Sequence, residues 1–375
     1  MINVFQPSLG VEELEAVRRV FESNWLGKGK LTESFEEAFA AHLGVPREHL
    51  RSTNSCSEGL FLSLKLIGAG PGDEIVMPSI SFVASANAAV ERGATPVFCD
   101  VDPRTLNATA ETIEAVLSPR TKAVLLIHYG GLPAEMDPIL DLLHPRGIHV
   151  IEDSACSVAS AYKGRACGTL GDIGVWSFDP AKVLVTGDGG MVYVRDPDMA
   201  HRAELELYLG LGSQSGFSNA VSSRWWEFDV TCAGRRGITN DICSAIGLEQ
   251  LKKLGAFLDR RAEIDRIYRR ELAGLDWLAL PPDVPEDCRT SYYFHWIQVT
   301  GEGRRDRLAK HLRGKGIYTT FRYYPLHRVA FYEHASGRLP CADQAAEETL
   351  LLPIHQALTD SEVELILDAI RCFSE

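Results

Sequence analysis

Long apolar stretches are absent from this 375-residue sequence, since none reaches the roughly 20 residues that a membrane-spanning helix requires. The first residues, MINVFQPSLG, also lack the basic and apolar regions of a secretory signal peptide. No linker, low-complexity tract or solenoid repeat interrupts the chain. We therefore expect a cytoplasmic protein without a membrane partner.

C-x-x-C cysteine pairs are also absent, and basic residues are fewer than acidic ones. The 9 cysteines are scattered and none belongs to a C-x-x-C pair, so we expect neither a metal site nor structural disulfides. The 38 Lys and Arg residues are outnumbered by 51 Asp and Glu residues, which gives a net charge of -13. Nucleic-acid binding requires a concentrated basic face, so we also expect no nucleic-acid partner.

Short apolar runs alternate with helical segments between about Pro71 and Val194. Runs such as AVLLIH and IHVI are apolar throughout, which is typical of parallel strands buried on both faces. The alternation predicts an α/β fold with a mostly parallel central sheet flanked by helices. The predicted strands are 74–77, 95–99, 122–128, 148–152, 174–178 and 191–194, and the helices between them include 81–92, 110–117 and 138–143.

The second half of the chain follows another pattern. It predicts a helix at 241–275, a strand at 292–299, a helix at 304–315, a strand at 317–322 and a closing helix at 360–373. Asn240 and Thr359 are the predicted N-caps of the first and last of these helices. We therefore divide the chain into a large α/β domain, 1–244, and a small C-terminal α+β domain, 245–375. Residues 210–237, rich in Gly, Ser and Trp, are predicted to form a functional loop.

The segment SFDPAK, which ends in Lys182, follows a predicted strand and precedes the glycines of TGDGG. A lysine in a turn after a buried strand can be desolvated, which lowers its pKa and favours Schiff-base chemistry. The glycines would let the chain double back close to a planar ligand. Taken alone, the segment is more typical of a surface lysine before a hairpin turn.

The strand VIED ends in Asp153, at the edge of the sheet where α/β folds bind ligands. Pyridoxal phosphate needs a carboxylate beside its pyridinium nitrogen, although an aspartate here is also a candidate helix N-cap. Ser55 and Ser57 open an apolar helix, where they either form a phosphate site or simply cap it. Phe82, after the strand EIVM, is either a stacking platform for a ring or a core residue.

These features, in this order, resemble the DegT/DnrJ/EryC1/StrS family, the sugar aminotransferases of fold-type I that use pyridoxal 5'-phosphate. The matching segments are WLGKGKLTESFEEAFAAHLGV, PGDEIVMPSISFVASANAAVERGATPVFCDVD, VIEDSA, GDIGVWSFDPAKVLVTGDGG, AIGLEQL and YYPLH. The resemblance implies the fold-type I architecture, a pyridoxal 5'-phosphate cofactor, and a homodimer whose active sites are completed across the interface.

The resemblance also implies roles for individual residues. Lys182 would form the Schiff base and move the proton between Cα and the cofactor, Asp153 would face the pyridinium nitrogen, and Phe82 would stack on the ring. The implied phosphate positions are Cys56, Ser57 and Ser177, with Arg236 reaching the phosphate from the neighbouring subunit. The implied substrate-bordering residues are Trp25, Lys28, Tyr323 and His327.

The sequence departs from the family pattern at several positions. Cys56 and Ser57 replace the usual Gly-Thr, which keeps a hydroxyl but adds a side chain at 56. Cys156 stands where a Gln or His commonly contacts the phenolic oxygen of the cofactor, and Arg236 stands where an Asn is common. Residues 208–236 lack the usual Arg-His-Gly pattern, so they leave the substrate open.

A lysine at 182 favours transamination, because sugar dehydratases of this fold carry a histidine there. We predict that an amino acid, Glu or Gln, converts the cofactor to pyridoxamine phosphate, which then aminates a keto sugar, by family default a nucleotide-linked keto-deoxysugar. Free keto sugar acids and cyclitols are alternative acceptors, and a dehydratase or lyase and a cofactor-binding regulator are alternative functions. Candidate contacts for a nucleotide are Lys28, Lys30, Arg224, Trp225, Trp226, Arg322 and His327.

Overall fold

The computed structural model describes residues 1–212, 228–335 and 337–374. Arg224, Trp225 and Trp226 lie outside the described residues. The helices are α1 (Val11–Ser23), α2 (Lys30–Leu43), α3 (Cys56–Leu66), α4 (Val83–Glu91), α5 (Ala110–Glu114), α6 (Met136–Leu143), α7 (Pro197–Leu207), α8 (Asp241–Leu272), α9 (Arg304–Gly314), α10 (Pro340–Glu348) and α11 (Asp360–Arg371).

The strands are short, as is usual in α/β proteins. They are β1 (Leu50–Thr53), β2 (Glu74–Pro78), β3 (Thr95–Cys99), β4 (Thr121–Ile127), β5 (His149–Asp153), β6 (Ala161–Tyr162), β7 (Arg165–Ala166), β8 (Ile173–Ser177), β9 (Gly190–Val194), β10 (Leu278–Ala279), β11 (Cys288–Arg289), β12 (His295–Val299) and β13 (Thr349–Leu352).

A central sheet of seven described strands runs in the order β1-β9-β8-β5-β4-β2-β3. Only β9 runs against the other six, because it pairs antiparallel with β1 and with β8 while the remaining pairs are parallel. The middle strands are buried on both faces, which explains their continuous apolar sequence. The predicted mostly parallel sheet is confirmed.

The carboxyl edge of this sheet collects chain segments from far-separated parts of the sequence. The parallel strands β1, β2, β5 and β8 all end there, so the residues that follow each strand lie side by side. These residues include the start of α3, Phe82, Asp153 and Lys182. The fold therefore brings the residues singled out in the sequence to one place.

The C-terminal half packs around a second core. Helix α8 is 32 residues long and serves both cores, because it buries Leu254 and Phe257 in the core of the central sheet and Ile264 and Tyr268 in the second core. Beyond it lies a three-stranded antiparallel sheet, β10-β12-β13, against which α9 packs, while α11 packs on α8 and α9. The N-terminal Ile2 also belongs to this core and pairs with Ile317. The boundary between residues 244 and 245, which falls in the first turns of α8, stays a prediction.

Several local predictions can be compared with the structure. Asn240 caps α8 by accepting from the N–H of Cys243, and Thr359 caps α11 by accepting from that of Glu362. The predicted strand at 317–322 is wrong, because this segment makes only isolated bridges at Ile317 and Thr320. Among the described residues, no helix combines the length and the apolar character that crossing a membrane would take.

Candidate active site

A cavity of about 540 Å³ opens at the carboxyl edge of the central sheet. Its walls come from the start of α3, from the segments after β2, β5 and β8, and from the segment that precedes the short 3-10 helix Leu326–Arg328. The lining residues are Ser55, Cys56, Ser57, Leu60, Phe82, Ala84, Asp153, Ala155, Ser177, Asp179, Lys182, Asp188, Phe321, Arg322, Tyr323 and Tyr324. Six of the residues predicted to bind the cofactor (Cys56, Ser57, Phe82, Asp153, Ser177 and Lys182) thus share one cavity.

Lys182 lies in the loop that connects β8 to β9. The base of this loop is closed by hydrogen bonds from the N–H of Phe178 to the carbonyl of Gly189 and from the N–H of Thr186 to the carbonyl of Phe178, both 2.9 Å. Within it, Asp179 accepts the N–H of Lys182 on its carbonyl (2.9 Å). The lysine is therefore held in a tight turn, and its half-buried side chain lines the cavity instead of extending from the surface.

The pKa of Lys182 is shifted in the direction opposite to the lowering expected from the sequence. Burial does act to lower the pKa of Lys182, but Tyr293, Cys156, Cys56 and Asp153 outweigh it and raise the pKa above its ordinary value. The expected lowering is therefore wrong in this structure. These groups favour the ammonium form of Lys182, whereas nucleophilic attack requires the neutral amine.

The two acids at the end of β5 have separate functions. Glu152 is fully buried and accepts four hydrogen bonds, from His128 Nε2 (2.8 Å) and from the N–H groups of Gly168 (2.7 Å), Leu170 (2.7 Å) and Gly171 (2.6 Å). These bonds use its acceptor capacity to hold the loop before β8 against β5. Glu152 is therefore a structural carboxylate.

Asp153 lies on the other side of the strand and lines the cavity. It is only 2% exposed, and its Oδ1 accepts the N–H of Ala155 at 3.0 Å. No helix begins after it, so the alternative of a helix N-cap is excluded. Burial raises the pKa of Asp153, while the N–H of Ala155, Lys182 and His128 act in the opposite direction. Such a carboxylate is stabilised by a positive partner in the cavity.

The start of α3 presents unused N–H donors to the cavity. Ser55 is the N-cap and accepts the N–H of Glu58 at 3.2 Å, which leaves the N–H groups of Cys56 and Ser57 without an acceptor among the described residues. Gly190 makes this arrangement possible, because a Cβ there would lie 2.7 Å from the nitrogen of Cys56. Capping thus belongs to Ser55, while Cys56 and Ser57 offer donors that suit an anion.

Aromatic residues form the opposite side of the cavity. The ring of Phe82 is 48% exposed, and its centroid lies 5.6 Å from that of Tyr323. Cys156 is buried just behind this wall, with its Sγ 3.7 Å from the hydroxyl oxygen of Tyr323. Phe82 is therefore available for stacking and is not a core residue, whereas the thiol of Cys156 is already engaged.

Besides Cys156, four of the predicted cofactor and substrate residues lie outside this cavity in the single chain. Arg236 and Lys28 line a separate recess of about 220 Å³, where the Arg236 guanidinium is 5.6 Å from the ring centroid of Tyr208. Trp25, 46% exposed, lines another recess between α1 and α8. The fourth is His327, which hydrogen-bonds Ser79 through Nδ1 (2.6 Å) and Asp343 through Nε2 (3.0 Å). Their substrate or phosphate roles stay predictions.

Tyr293 is a residue beside Lys182 that the sequence did not indicate. Its ring centroid lies 4.7 Å from Lys182 Nζ, although the two residues belong to different halves of the chain. Nothing in the local pattern SYYFHWI distinguishes this tyrosine from Tyr292. Across residues 1–212, 228–335 and 337–374, no group of three or more His, Cys, Asp or Glu side chains is arranged to hold a metal ion.

Comparison with known proteins decides which family this site belongs to. The sequence profile of the DegT/DnrJ/EryC1/StrS aminotransferase family matches residues 7–371. The chain belongs to this family. It is therefore an aminotransferase, and family membership implies the cofactor pyridoxal 5'-phosphate. Both the resemblance and the enzyme class predicted from the sequence are confirmed.

Three relatives illustrate how close the similarity is. The chain is 51% identical over 369 residues to the dTDP-4-dehydro-2,3,6-trideoxy-D-glucose 4-aminotransferase of Saccharopolyspora spinosa, covering 98% of this chain and 95% of the relative. It is 35% identical to the GDP-perosamine synthase of Caulobacter vibrioides, over 98% and 97% of the two chains. The crystal structure of the aminotransferase TlmJ from Streptoalloteichus hindustanus has a TM-score of 0.94 and 54% identity, over 99% and 98%. The predicted fold-type I architecture is confirmed.

Proposed function

We propose that this enzyme transfers an amino group from an amino acid, glutamate or glutamine, to a nucleotide-linked keto-deoxysugar, using pyridoxal 5'-phosphate held on Lys182. The single observation that supports this most is the meeting of Lys182, Asp153 and the open start of α3 in one cavity. An amine, a buried carboxylate and an anion site are the three groups that this cofactor requires.

The donor set of the cavity fits the cofactor. The N–H groups of Cys56 and Ser57, together with the hydroxyls of Ser57 and Ser177, would hold the phosphate at the positive end of α3. Asp153 would face the ring nitrogen, because its buried carboxylate needs a positive partner. When bound, pyridoxal 5'-phosphate supplies an electron sink that makes the Cα proton of an amino acid removable.

The residues of the chain do the remaining work. Lys182 would anchor the cofactor and then, as a free amine, take the proton from the substrate Cα and hold it for return. Phe82 would cover one face of the ring and keep it flat against the cavity wall. Arg322 is a cation of this wall whose guanidinium has no carboxylate within ion-pair distance among the described residues, and it would receive an anionic group of a substrate.

The acceptor is proposed from the relatives. Both curated relatives described above carry names of enzymes that act on or make nucleotide-linked sugars. The relative at 51% identity is named for a dTDP-linked 4-dehydro-trideoxyglucose, which makes this compound the first acceptor to test. A free keto sugar acid or a cyclitol is the alternative acceptor.

We also propose a homodimer in which Arg236 of one subunit completes the phosphate site of the other. Within one chain, Arg236 and Lys28 lie apart from the cavity of Lys182, in a recess of their own. A second copy is the simplest source of the missing cation at the start of α3.

The test starts from the purified chain saturated with pyridoxal 5'-phosphate. We expect its visible absorption band to be lost when glutamate or glutamine is added and to return when the dTDP-linked keto sugar is added. Lys182→Ala should abolish the covalent linkage, whereas Lys252→Ala, a change at an exposed lysine paired with Glu249, should leave both spectral changes intact.

The alternatives predict other results. A dehydratase or lyase would consume the sugar without any amino donor, and a cofactor-binding regulator would bind the cofactor with no spectral response to either substrate. Absence of a response to every amino donor would refute the transaminase proposal. A response to the donor with no reaction of dTDP-linked or GDP-linked keto sugars would refute only the nucleotide-linked acceptor.

A further inference from the structure

Tyr293 is a fully buried residue that contacts Lys182 and has no role in the proposed function. Lys182 Nζ lies 4.7 Å from the centroid of its ring, within the range of a cation–π contact. Its hydroxyl has no hydrogen-bond partner among the described residues, whereas the hydroxyl of the neighbouring Tyr323 contacts Cys156. The ring of Tyr293 faces the lysine, and its hydroxyl is close enough to act on the charge of the lysine as well.

The backbone of Tyr293 is anchored to the central sheet. Its N–H donates to the carbonyl of Gly130 at 3.0 Å, and Gly130 lies three residues beyond the end of β4, at the carboxyl edge. Gly130 has φ +63°, and a Cβ there would lie 2.8 Å from the ring of Trp296, so this close approach requires glycine. Tyr293 is therefore held relative to the same edge that positions Asp153 and Lys182.

The ring of Tyr293 is also held by other aromatic rings. Phe5 stacks on it with centroids 5.4 Å apart and an interplanar angle of 18°, and the centroid of Phe294 lies 4.4 Å away. The guanidinium of Arg322 lies 4.6 Å from the centroid of Phe5. Lys182 and Arg322 therefore each lie over one ring of a stacked pair. A ring packed in this way cannot turn aside, and burial strengthens its attraction for a cation.

We propose that Tyr293 is the positioning residue for Lys182, its ring holding the ammonium at the cavity wall whenever the lysine carries no covalent partner. Asp153 also acts on this ammonium, whereas Asp179 and Asp188 are exposed residues of the same cavity wall. This inference rests on the proposed function only for the chemical role of Lys182, because the contact itself can be measured in the chain without cofactor.

The ring, and not the hydroxyl, carries the proposal, so the two must be separated by experiment. The variants are Tyr293→Leu, which removes the ring, and Tyr293→Phe, which removes only the hydroxyl. Phe294→Leu is the matched control, because it removes a buried ring that packs on Tyr293 but does not contact Lys182. Tyr293→Met, with a longer flexible side chain, replaces Tyr293→Leu if that variant does not fold.

The other charged groups around the lysine remain unchanged in all four variants. Besides Tyr293, the titratable groups that act on Lys182 are Cys156, Cys56 and Asp153. The cavity wall adds Asp179, Asp188 and Arg322. A difference between the variants therefore reports the ring itself.

The measurement is the titration midpoint of Lys182 in the full chain without cofactor. Lysines are methylated with carbon-13 formaldehyde, the Lys182 signal is assigned by its loss in Lys182→Ala, and its chemical shift is followed against pH. Removal of the ring should weaken proton binding by about threefold to tenfold, which lowers the midpoint by roughly half a unit to one unit. Phe294→Leu should titrate as the wild type does, and Tyr293→Phe, which keeps the ring but loses the hydroxyl that also acts on Lys182, should lower the midpoint less than Tyr293→Leu.

An unchanged midpoint in a folded ring-less variant would overturn the proposal. So would a midpoint in Tyr293→Phe that is lowered as much as in Tyr293→Leu, because the hydroxyl would then be the group that acts. Uptake of pyridoxal 5'-phosphate by the wild type is measured separately. If uptake fails while the midpoints differ as expected, the proposed function is wrong and the positioning contact is retained.

Discussion

Asp153, the proposed partner of the cofactor ring nitrogen, carries a cost to stability. Its buried carboxylate has a raised pKa because burial disfavours the charge, and one unit of such a shift corresponds to about 1.4 kcal/mol. A raised carboxyl pKa means that the folded state binds the proton more tightly than the unfolded state. The carboxylate therefore lowers stability as the pH rises from the ordinary aspartate pKa to the raised one, and the cost stays in full above that range.

We accordingly predict that Asp153→Asn leaves the cofactor-free chain as stable as the wild type or more stable by about 1 kcal/mol at neutral pH. Asparagine keeps the oxygen that accepts from Ala155 and removes only the charge. The same variant should lose the reaction with the amino donor. Chemical denaturation at pH 7 and at pH 3 checks the first claim, since the difference between the two proteins should vanish at the lower pH. A large loss of stability at pH 7 would contradict it.

Removing the charge of Glu152, the neighbour of Asp153, should lower the stability of the folded chain instead. Replacing Glu152 by glutamine puts an amide NH2 group opposite two hydrogen-bond donors, whichever of its two oxygens the amide nitrogen replaces. Because each unsatisfied buried donor costs about 1–3 kcal/mol, we expect the free energy of unfolding to fall by roughly 2–5 kcal/mol. Glu204→Gln, at a carboxylate that is 52% exposed and paired with Arg51, is the control and should change stability by less than about 0.5 kcal/mol.

At the scale of elements, the start of α3 separates capping from anion binding. Ser55→Ala removes the side chain that accepts from Glu58, so it should lower stability by about 1 kcal/mol and leave cofactor affinity nearly unchanged. Ser57→Ala removes a hydroxyl that faces the cavity, so it should weaken cofactor binding by about tenfold and leave stability nearly unchanged. Equilibrium dialysis in the Lys182→Ala background measures binding without the covalent linkage. Equal effects of the two variants on both quantities would contradict the separation.

The elements that could be predicted from the sequence are those whose environment is uniform. Strands β4 and β5 are buried on both faces and therefore form apolar runs that stand out. Strand β1 was missed because it contains Arg51 and Ser52, whose polar groups are bonded to Glu204 and Glu36. That compensation arises only in the folded chain. The segment 317–322 was predicted as a strand from its composition, but in the folded chain it makes only isolated β-bridges and no continuous pairing with another strand.

The residues of the candidate site also include some that could be predicted from the sequence and some that could not. Lys182 and Asp153 could be predicted because each follows a strand whose end has a known meaning in α/β folds. Tyr293 could not, because its approach to Lys182 depends on the bond to Gly130 and on stacking with Phe5, two contacts between distant parts of the chain. The raised pKa of Lys182 could not be predicted either, since it results from the acidic groups that the fold collects around it.

At the scale of the whole molecule, the cavity is built by both halves of the chain and by its N-terminal segment. Ile2 pairs with Ile317 in the C-terminal half, and Phe5, three residues later, stacks on Tyr293. The first residues thus connect the second core to the ring that contacts Lys182. By contrast, Arg236 and Lys28 lie in a recess that the single chain does not connect to this cavity.

Subunit mixing tests whether that recess serves a second copy. If Arg236 acts across a dimer, a mixed dimer of Lys182→Ala and Arg236→Gln chains contains one intact site, formed by the lysine of the second chain and the arginine of the first. We therefore expect activity to appear when the two inactive or weakened variants are coexpressed with different tags and the mixed dimer is purified.

The control is a mixed dimer of Lys182→Ala and Asp153→Asn, whose changes lie in the same cavity and leave no intact site in either arrangement. Recovery in the first pair alone supports a shared site, because only residues contributed by different subunits can complement each other. No recovery in the first pair, with Arg236→Gln impaired by itself, would place Arg236 in its own subunit's chemistry, and a monomer by sedimentation would refute the shared site altogether.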